Sequence, residues 1–115
     1  MLPKNNRLAR EKDFARLFKF GKFFKEGVIA LRIMQNSVKK NRATVVVSSK
    51  VFKKATQRNI AKRLIRQELH RFFKGKNKEK GYDAMFVIQK AFLKKDYSQV
   101  REQVSKLLKT SKLAE

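Results

Sequence analysis

The chain has 115 residues, enough for one domain with a modest core, and 42% of them are hydrophobic, which favours a folded protein over a disordered polycation. It carries 31 Lys and Arg against 9 Asp and Glu, a formal charge of +22, which predicts a polyanionic partner: nucleic acid first, an anionic membrane surface second. The lack of cysteine excludes disulfides, a thiol nucleophile and a Cys-based zinc site, and the single histidine, His70, excludes a His-rich metal site.

The chain shows no sign of a targeting or membrane segment. MLPKNNRLAREKDF has charges where a signal peptide needs an apolar core, and the longest apolar runs are far too short to span a bilayer. We therefore expect a soluble, cytoplasmic protein without a membrane partner. There is no internal repeat or Pro/Gly-rich linker, so 1–115 is predicted to be a single domain, with a flexible arm at 1–10 and a flexible tail at 110–115.

The first half of the chain predicts one helix and then strands. DFARLFKFG places its apolar residues at helical spacing, with Gly21 positioned to end the helix. VIALRIM alternates as a strand, with Ile29, Leu31 and Ile33 on one side and Val28, Ala30, Arg32 and Met34 on the other, and the β-branched ATVVVSS follows a polar connector. With a short lead-in at KFFKEG, these strands suggest an antiparallel hairpin or meander.

The second half returns to a helical period from about residue 56 to residue 73. A charged loop, KGKNKEKG, precedes YDAMFVI, which predicts a buried strand. Asp96 is positioned to cap a last helix, whose apolar stripe runs from Tyr97 to Leu108. The order α-β-β-β-α-β-α predicts an α+β sandwich with helices on a small sheet.

The helix that contains QRNIAKRLIRQ is strongly basic on one side. On a helical wheel Ala61, Leu64, Ile65, Leu69 and Phe72 share the apolar arc, which should pack against the sheet. The adjacent arc is basic, and Arg58, Lys62 and Arg66 form one row along the axis at intervals of four residues.

The basic arc has two interpretations. It is either a solvated helix surface or a site for phosphates. Like charges four residues apart repel and weaken a helix by a few tenths of a kcal/mol per pair, and Glu68 is the only acid between Lys53 and Lys76. A counter-charge from outside the chain is therefore the preferred interpretation, with Arg supplying forked contacts to phosphate and Asn59 hydrogen bonds to bases or 2′-hydroxyls.

QRNIAKRLIRQELHR resembles the signature helix of the bacterial ribonuclease P protein component, whose motif runs Arg-Asn-Arg, two residues, Arg. Three other blocks resemble the same family: LPKNNRLAREKDFARLFKFGKFF, VVVSSKVFKKATQRN and GYDAMFVIQKAF. The resemblance extends from Leu2 to about Leu108.

This resemblance implies a two-layer α/β sandwich of the ribosomal S5 domain 2-like type, with a left-handed βαβ crossover. It also implies that the chain is the protein subunit of ribonuclease P, an endoribonuclease that removes the 5′ leader of precursor tRNA. The protein would bind the catalytic RNA and the precursor tRNA, and no obligate protein partner is expected.

In the family the signature helix faces the catalytic RNA. The residues that match its pattern are Arg58, Asn59, Lys62, Arg63 and Arg66. Flanking RNA contacts are expected from Lys50, Lys53, Lys54 and His70.

The chain departs from the family pattern at four positions. Ile60 stands where the family has the second Arg of the motif, on the far side of the helix from the centre of the basic arc, so its effect is expected at a flank. Val51, Lys53 and Gln89 stand where Lys, Gly and Arg are common. These departures bear on affinity more than on identity.

A second surface is implied by the resemblance. Family members hold the single-stranded leader in a cleft between the first helix and the sheet, and Phe14 and Phe18 match aromatic positions there. Aromatic side chains stack on any base, because every base has a π-face. Arg32 is expected to line the same cleft. From spacing alone, the alternative is that the two Phe belong to the core and that Arg32 is simply exposed.

No protein catalyst is predicted. Asp13, Asp83 and Asp96 are scattered, whereas a metal-dependent nuclease needs converging carboxylates, and Asp83 is expected at a turn or cap. Neither catalytic nor metal-binding residues are therefore expected in the protein. Hydrolysis would be carried out by the RNA with its bound Mg²⁺, while the protein screens repulsion between two RNAs.

Two other functions stay open on sequence grounds. A ribosomal or ribosome-assembly protein that binds rRNA would suit the same fold and charge. A nucleoid-type DNA-binding protein is a third class, although the chain has neither a zipper nor a long basic arm.

Overall fold

The computed structural model describes residues 11–36, 42–73 and 81–110, and over these residues the order α-β-β-β-α-β-α is confirmed. The helices of this part are α1 (Glu11–Phe20), α2 (Ala55–Phe73) and α3 (Tyr97–Thr110), with a 3₁₀ turn at Lys94–Asp96. Its strands are β1 (Lys22–Glu26), β2 (Ile29–Asn36), β3 (Arg42–Val47) and β4 (Gly81–Ile88). The predicted arm, most of the charged loop after α2 and tail residues 111–115 lie outside the described residues.

The sheet has the order β1-β2-β4-β3, with β3 and β4 parallel and the other neighbours antiparallel. The predicted antiparallel pairing of β2 with β3 is wrong, because β4 lies between these strands. The lead-in strand β1 is the one that forms a hairpin with β2. β4 is apolar on both faces, as a central strand requires, and so takes the inner position. β3, α2 and β4 form the expected βαβ unit, whose left-handed sense stays a prediction.

The main core lies between one face of the sheet and two helices. Alternate residues of β2, β3 and β4, among them Leu31, Val45 and Phe86, are buried against α2 and α3. The α2 side chains in this core include Ile65 and Leu69, both fully buried. This packing commits the apolar arc of α2 to the interior as far as Leu69, so the opposite arc faces solvent. The side chain of Phe72, also predicted on this arc, lies outside the described residues.

The other face of the sheet is covered only in part. Leu17 of α1 packs on Met85 of β4, with Phe14, Met34 and Val87 around them. The helix ends before Gly21, whose N–H donates to the Leu17 carbonyl at 2.9 Å. A Cβ on Gly21 would lie 2.5 Å from that oxygen, so glycine is required for the sharp entry into β1.

The β1–β2 hairpin is attached to α3. Gly27 has φ +57°, and a Cβ there would collide with the side chain of Gln103. The Gln103 Oε1 accepts the N–H of Val28 at 3.1 Å, and Lys106 lies 3.8 Å from Glu26. The hairpin is thereby held over the end of the core.

Candidate nucleic-acid interface

The outer side of α2 carries a continuous polar and basic surface, which we call the α2 ridge. Its members are Arg58, Asn59, Lys62, Arg63, Arg66 and His70. Asn59, Arg63 and His70 are exposed, whereas the row of Arg58, Lys62 and Arg66 is half-buried along the edge of the packed arc. The helix has no acidic residue in its first turn, so no carboxylate offsets the positive end of its dipole.

The cations of the ridge have no counter-charge within the described part of the chain. The ion pairs there join Arg42 to Asp13 and Asp83, Arg71 to Glu68, and Lys106 to Glu26. None of them uses Arg58, Lys62, Arg63 or Arg66 among the residues described. The ridge is therefore left open to an external anion.

Arg58 has a structural task as well. Its Nη1 donates to the carbonyl oxygens of Phe52 and Lys53, at 2.8 and 3.0 Å. These bonds fasten the loop that precedes α2 to the helix. A guanidinium has five N–H donors, so others remain for an external partner.

The predicted flanking residues lie beside the start of α2. Lys50, Lys53 and Lys54 are all exposed on the loop that follows β3. The loop is shaped by N–H bonds from Val51 and Phe52 to the Ser48 carbonyl, and the buried Phe52 anchors it. Three more cations are thus added next to the first turn of the helix.

A second surface is an open cleft of about 310 Å³ on the sheet face that α1 leaves uncovered. Its floor includes Ala30, Val46, Met85 and Val87. Its wall is the Arg32 guanidinium, which lies over the rings of Phe18 and Phe23, 5.1 and 5.2 Å from their centroids. We call this feature the α1 cleft.

The predicted cleft residues do not all lie together. Phe18 and Arg32 line the α1 cleft, whereas Phe14 packs in the small cluster around Leu17 and is not among the lining residues. Sequence reasoning missed Phe23 and Gln89 as lining residues. Strand alternation within KFFKE would have found Phe23, since it pairs with Arg32 in register and therefore shares its face.

The α1 cleft and the loop that leads into α2 reach the same end of the sheet. Val47, at the end of β3, pairs with Ile88 at the end of β4, because the strands are parallel. Gln89 follows β4 and lines the cleft, while the loop after Val47 leads directly into α2. The cleft and the loop that carries the lysines therefore share this end of the sheet.

The acids serve the fold. Asp83 was predicted at a turn or cap, and this is wrong: it is a buried β4 residue that binds Arg42 through two bonds of 2.8 Å. Asn36 Nδ2 also donates to it, at 2.8 Å. The hydrogen bond to Asp83 raises the pKa of Arg42, against a lowering by burial. Asp96 lies immediately before α3, and its Oδ2 accepts the N–H of Leu93 at 3.0 Å, at the start of the 3₁₀ turn. Its role as the cap of α3 stays a prediction.

No group of three or more His, Cys, Asp or Glu residues within the described ranges is arranged to hold a metal ion. None of the helices in those ranges combines the length and hydropathy of a membrane span.

The chain matches the Ribonuclease P family model over residues 2–112. It is 35% identical to the ribonuclease P protein component of Clostridium botulinum (strain Loch Maree / Type A3) over 92% of this chain and 94% of that protein. The component of Caldanaerobacter subterraneus subsp. tengcongensis is 33% identical over 100% of this chain and 97% of the relative.

Solved structures give the same match. The RNase P protein of Thermotoga maritima superposes with a TM-score of 0.70 at 31% identity, covering 90% of this chain and 96% of that one. The RNase P protein of Staphylococcus aureus reaches a TM-score of 0.81 at 23% identity, covering 97% and 100%, and supports the fold.

Proposed function

Because the chain belongs to the ribonuclease P protein family and is thus a protein component of this tRNA-processing endoribonuclease, we propose that its two surfaces divide the RNA contacts. The α2 ridge binds the RNA subunit, and the α1 cleft holds the single-stranded 5′ leader of precursor tRNA.

The observation that carries the proposal is the unpaired state of the ridge within the described chain. Its cations lie on a helix whose other arc is locked into the core, so they cannot turn inward to find carboxylates. A folded RNA supplies the closely spaced phosphates that such a rigid row of cations fits.

The cleft suits a single strand. Its apolar floor and the rings of Phe18 and Phe23 offer stacking surfaces, and the Arg32 guanidinium offers both stacking and a charge for phosphate. Because the cleft and the loop that leads into α2 reach the same end of the sheet, one protein can contact leader and RNA subunit together.

We assign the hydrolytic step to the RNA and the Mg²⁺ bound there. This division is supported by the use of the buried acids: Asp83 is held by Arg42 and Asn36, and Asp13 lies 3.4 Å from the same Arg42. Both carboxylates are thus committed to a structural ion pair. The protein contributes by lowering repulsion between two polyanions and by positioning the leader.

The test is reconstitution. Purified protein is added to a bacterial ribonuclease P RNA and a precursor tRNA at low Mg²⁺, and leader release is measured. We expect the wild-type protein to stimulate leader release strongly. The stimulation should be lost in Lys62→Ala/Arg63→Ala and kept in Arg101→Ala/Lys109→Ala. The control removes one Arg and one Lys from exposed positions of α3. Equal loss in both variants, or no stimulation at all, refutes the proposal.

A further inference from the structure

A small pocket of about 140 Å³ opens between the first turns of α2 and the segment that leads into α3. Its inner wall is aromatic. The ring of Phe92 meets those of Phe52 and Tyr97 edge to face, at centroid distances of 5.4 and 6.0 Å. We call it the α2–α3 pocket.

The rim of this pocket is apolar and exposed. Ile60 is 47% exposed and Leu93 is 64% exposed, although both border a cluster of buried aromatic rings. On a chain of charge +22, such side chains mark a surface that gains from being covered.

The rim is continuous with the α2 ridge. Ile60 and Arg63 are three residues apart on the helix and are therefore neighbours on its surface, with Cβ atoms about 5–6 Å apart. Gln57 of α2 also lines the pocket, and Lys94 lines it from the segment that leads into α3. The opening is thus an apolar slot with cations on both sides, a combination that favours a nucleic acid over an apolar protein helix.

We propose that the α2–α3 pocket receives one unstacked nucleobase of the RNA that the α2 ridge binds. This inference rests on the proposed function and adds a base-binding site to its phosphate contacts. A cavity of about 150 Å³ is known to hold one benzene ring, so the volume fits a single planar base at an open mouth. The Gln57 amide can donate to and accept from the base edge, while Lys94 and Arg63 hold the flanking phosphates.

A tryptophan reporter tests the site directly, because the chain contains no tryptophan. Leu93→Trp places one fluorophore at the rim, where a stacked base quenches it. On titration with a bacterial ribonuclease P RNA, we expect the tryptophan emission to fall by about half or more. The midpoint of this fall should coincide with the midpoint of RNA binding. Gln99→Trp, on an exposed position of α3, is the control and should change little.

Affinity gives an independent measurement. Ile60→Ala/Leu93→Ala should weaken RNA binding by about 5- to 50-fold, within the range of single-base stacking, and leave the salt dependence unchanged because no cation is removed. Phe20→Ala, which truncates another exposed apolar residue, should bind like the wild type. Thermal melts of each variant verify that the fold is kept.

The outcomes separate the two proposals. One outcome is that RNA binding depends on Lys62 and Arg63, but the Leu93→Trp protein is not quenched and Ile60→Ala/Leu93→Ala binds as tightly as the wild type. This outcome overturns the pocket assignment and leaves the proposed function standing. Absence of RNA binding by the wild type overturns both. A change in the emission of the Leu93→Trp protein with protein concentration alone would show that a second copy covers the pocket, and it too overturns the assignment.

Discussion

Arg42 of β3 and Asp83 of β4 face each other across a parallel strand pair and share two hydrogen bonds of 2.8 Å, from Nε to Oδ1 and from Nη2 to Oδ2. The same Nη2 lies 3.4 Å from Oδ1 of Asp13, on α1. One guanidinium therefore ties the first helix to the sheet face that carries the α1 cleft. The ion pair positions a binding surface without forming part of it.

Removal of Arg42 should lower the free energy of unfolding substantially. Arg42→Ala leaves Asp83, with 4% of its side chain exposed, as a nearly buried carboxylate without its cation, and we expect a loss of about 3 kcal/mol in the free energy of unfolding. Urea unfolding measures it. An Asp13→Asn/Arg42→Met/Asp83→Leu variant removes all three charges of the cluster and should recover much of the loss; if it is as unstable as Arg42→Ala, unpaired charge is not the cause.

This contribution should not depend on pH near neutrality. The bond to Asp83 raises the pKa of Arg42 in the folded state, so the stabilisation is fully present below the unfolded-state pKa and is lost only as pH rises through the higher folded value. Both lie in the strongly alkaline range. The difference in unfolding free energy between wild type and Arg42→Lys, measured at pH 7 and pH 9, should therefore be the same.

Gly27→Ala should destabilise the hairpin through two separable effects. A side chain at φ +57° costs about 1–2 kcal/mol, and its Cβ displaces Gln103 from its bond to Val28. In a Gln103→Ala background only the backbone strain remains. Thermal unfolding of the wild type, the two single variants and the double variant gives the coupling free energy between positions 27 and 103. If the two substitutions were simply additive, the contact between a Cβ at position 27 and Gln103 would be contradicted.

The order of elements was predictable because it follows from hydrophobic period alone. The neighbours of each strand were not predictable in this way. Whether β3 pairs with β2 or with β4 depends on which strand is buried on both faces. The apolar run YDAMFVI indicated the inner strand only in combination with the crossover helix. Asp83 was misplaced for a related reason. Its partner Arg42 is 41 residues away, and local sequence contains no sign of the pair.

The candidate site, like the fold, could be predicted from the sequence only in part. The α2 ridge was predictable since one helical wheel contains it, and its half-buried row is where the wheel placed it. The second task of Arg58, bonded to the loop carbonyls, was not visible in the sequence. Nor was the α1 cleft in full, because Phe18, Phe23 and Arg32 come from three different elements.

The electrostatic proposal predicts a steep salt dependence. If six to ten phosphates are neutralised, affinity for the RNA subunit should fall by about 10³- to 10⁵-fold between 50 and 200 mM salt. Lys62→Ala should lower the logarithmic slope by about one unit. Arg58→Ala should lower the slope and also unfold more readily, by about 1–2 kcal/mol, because its loop bonds are lost. A slope near zero for the wild type would contradict the phosphate contacts.

The α1 cleft can be tested apart from the ridge by varying the leader. Phe18→Ala and Arg32→Ala each remove one side of the guanidinium–ring stack, and we expect the assembled enzyme to bind a precursor tRNA with a leader about 5- to 100-fold more weakly. Binding of mature tRNA, which has no leader, should be unchanged, as should binding of the RNA subunit by the protein alone. Phe20→Ala is the matched control, because Phe20 is an exposed α1 phenylalanine outside the cleft lining. A loss of the same size with mature tRNA would mean that the cleft acts on the body of the tRNA or on the RNA subunit, and the leader assignment would fail.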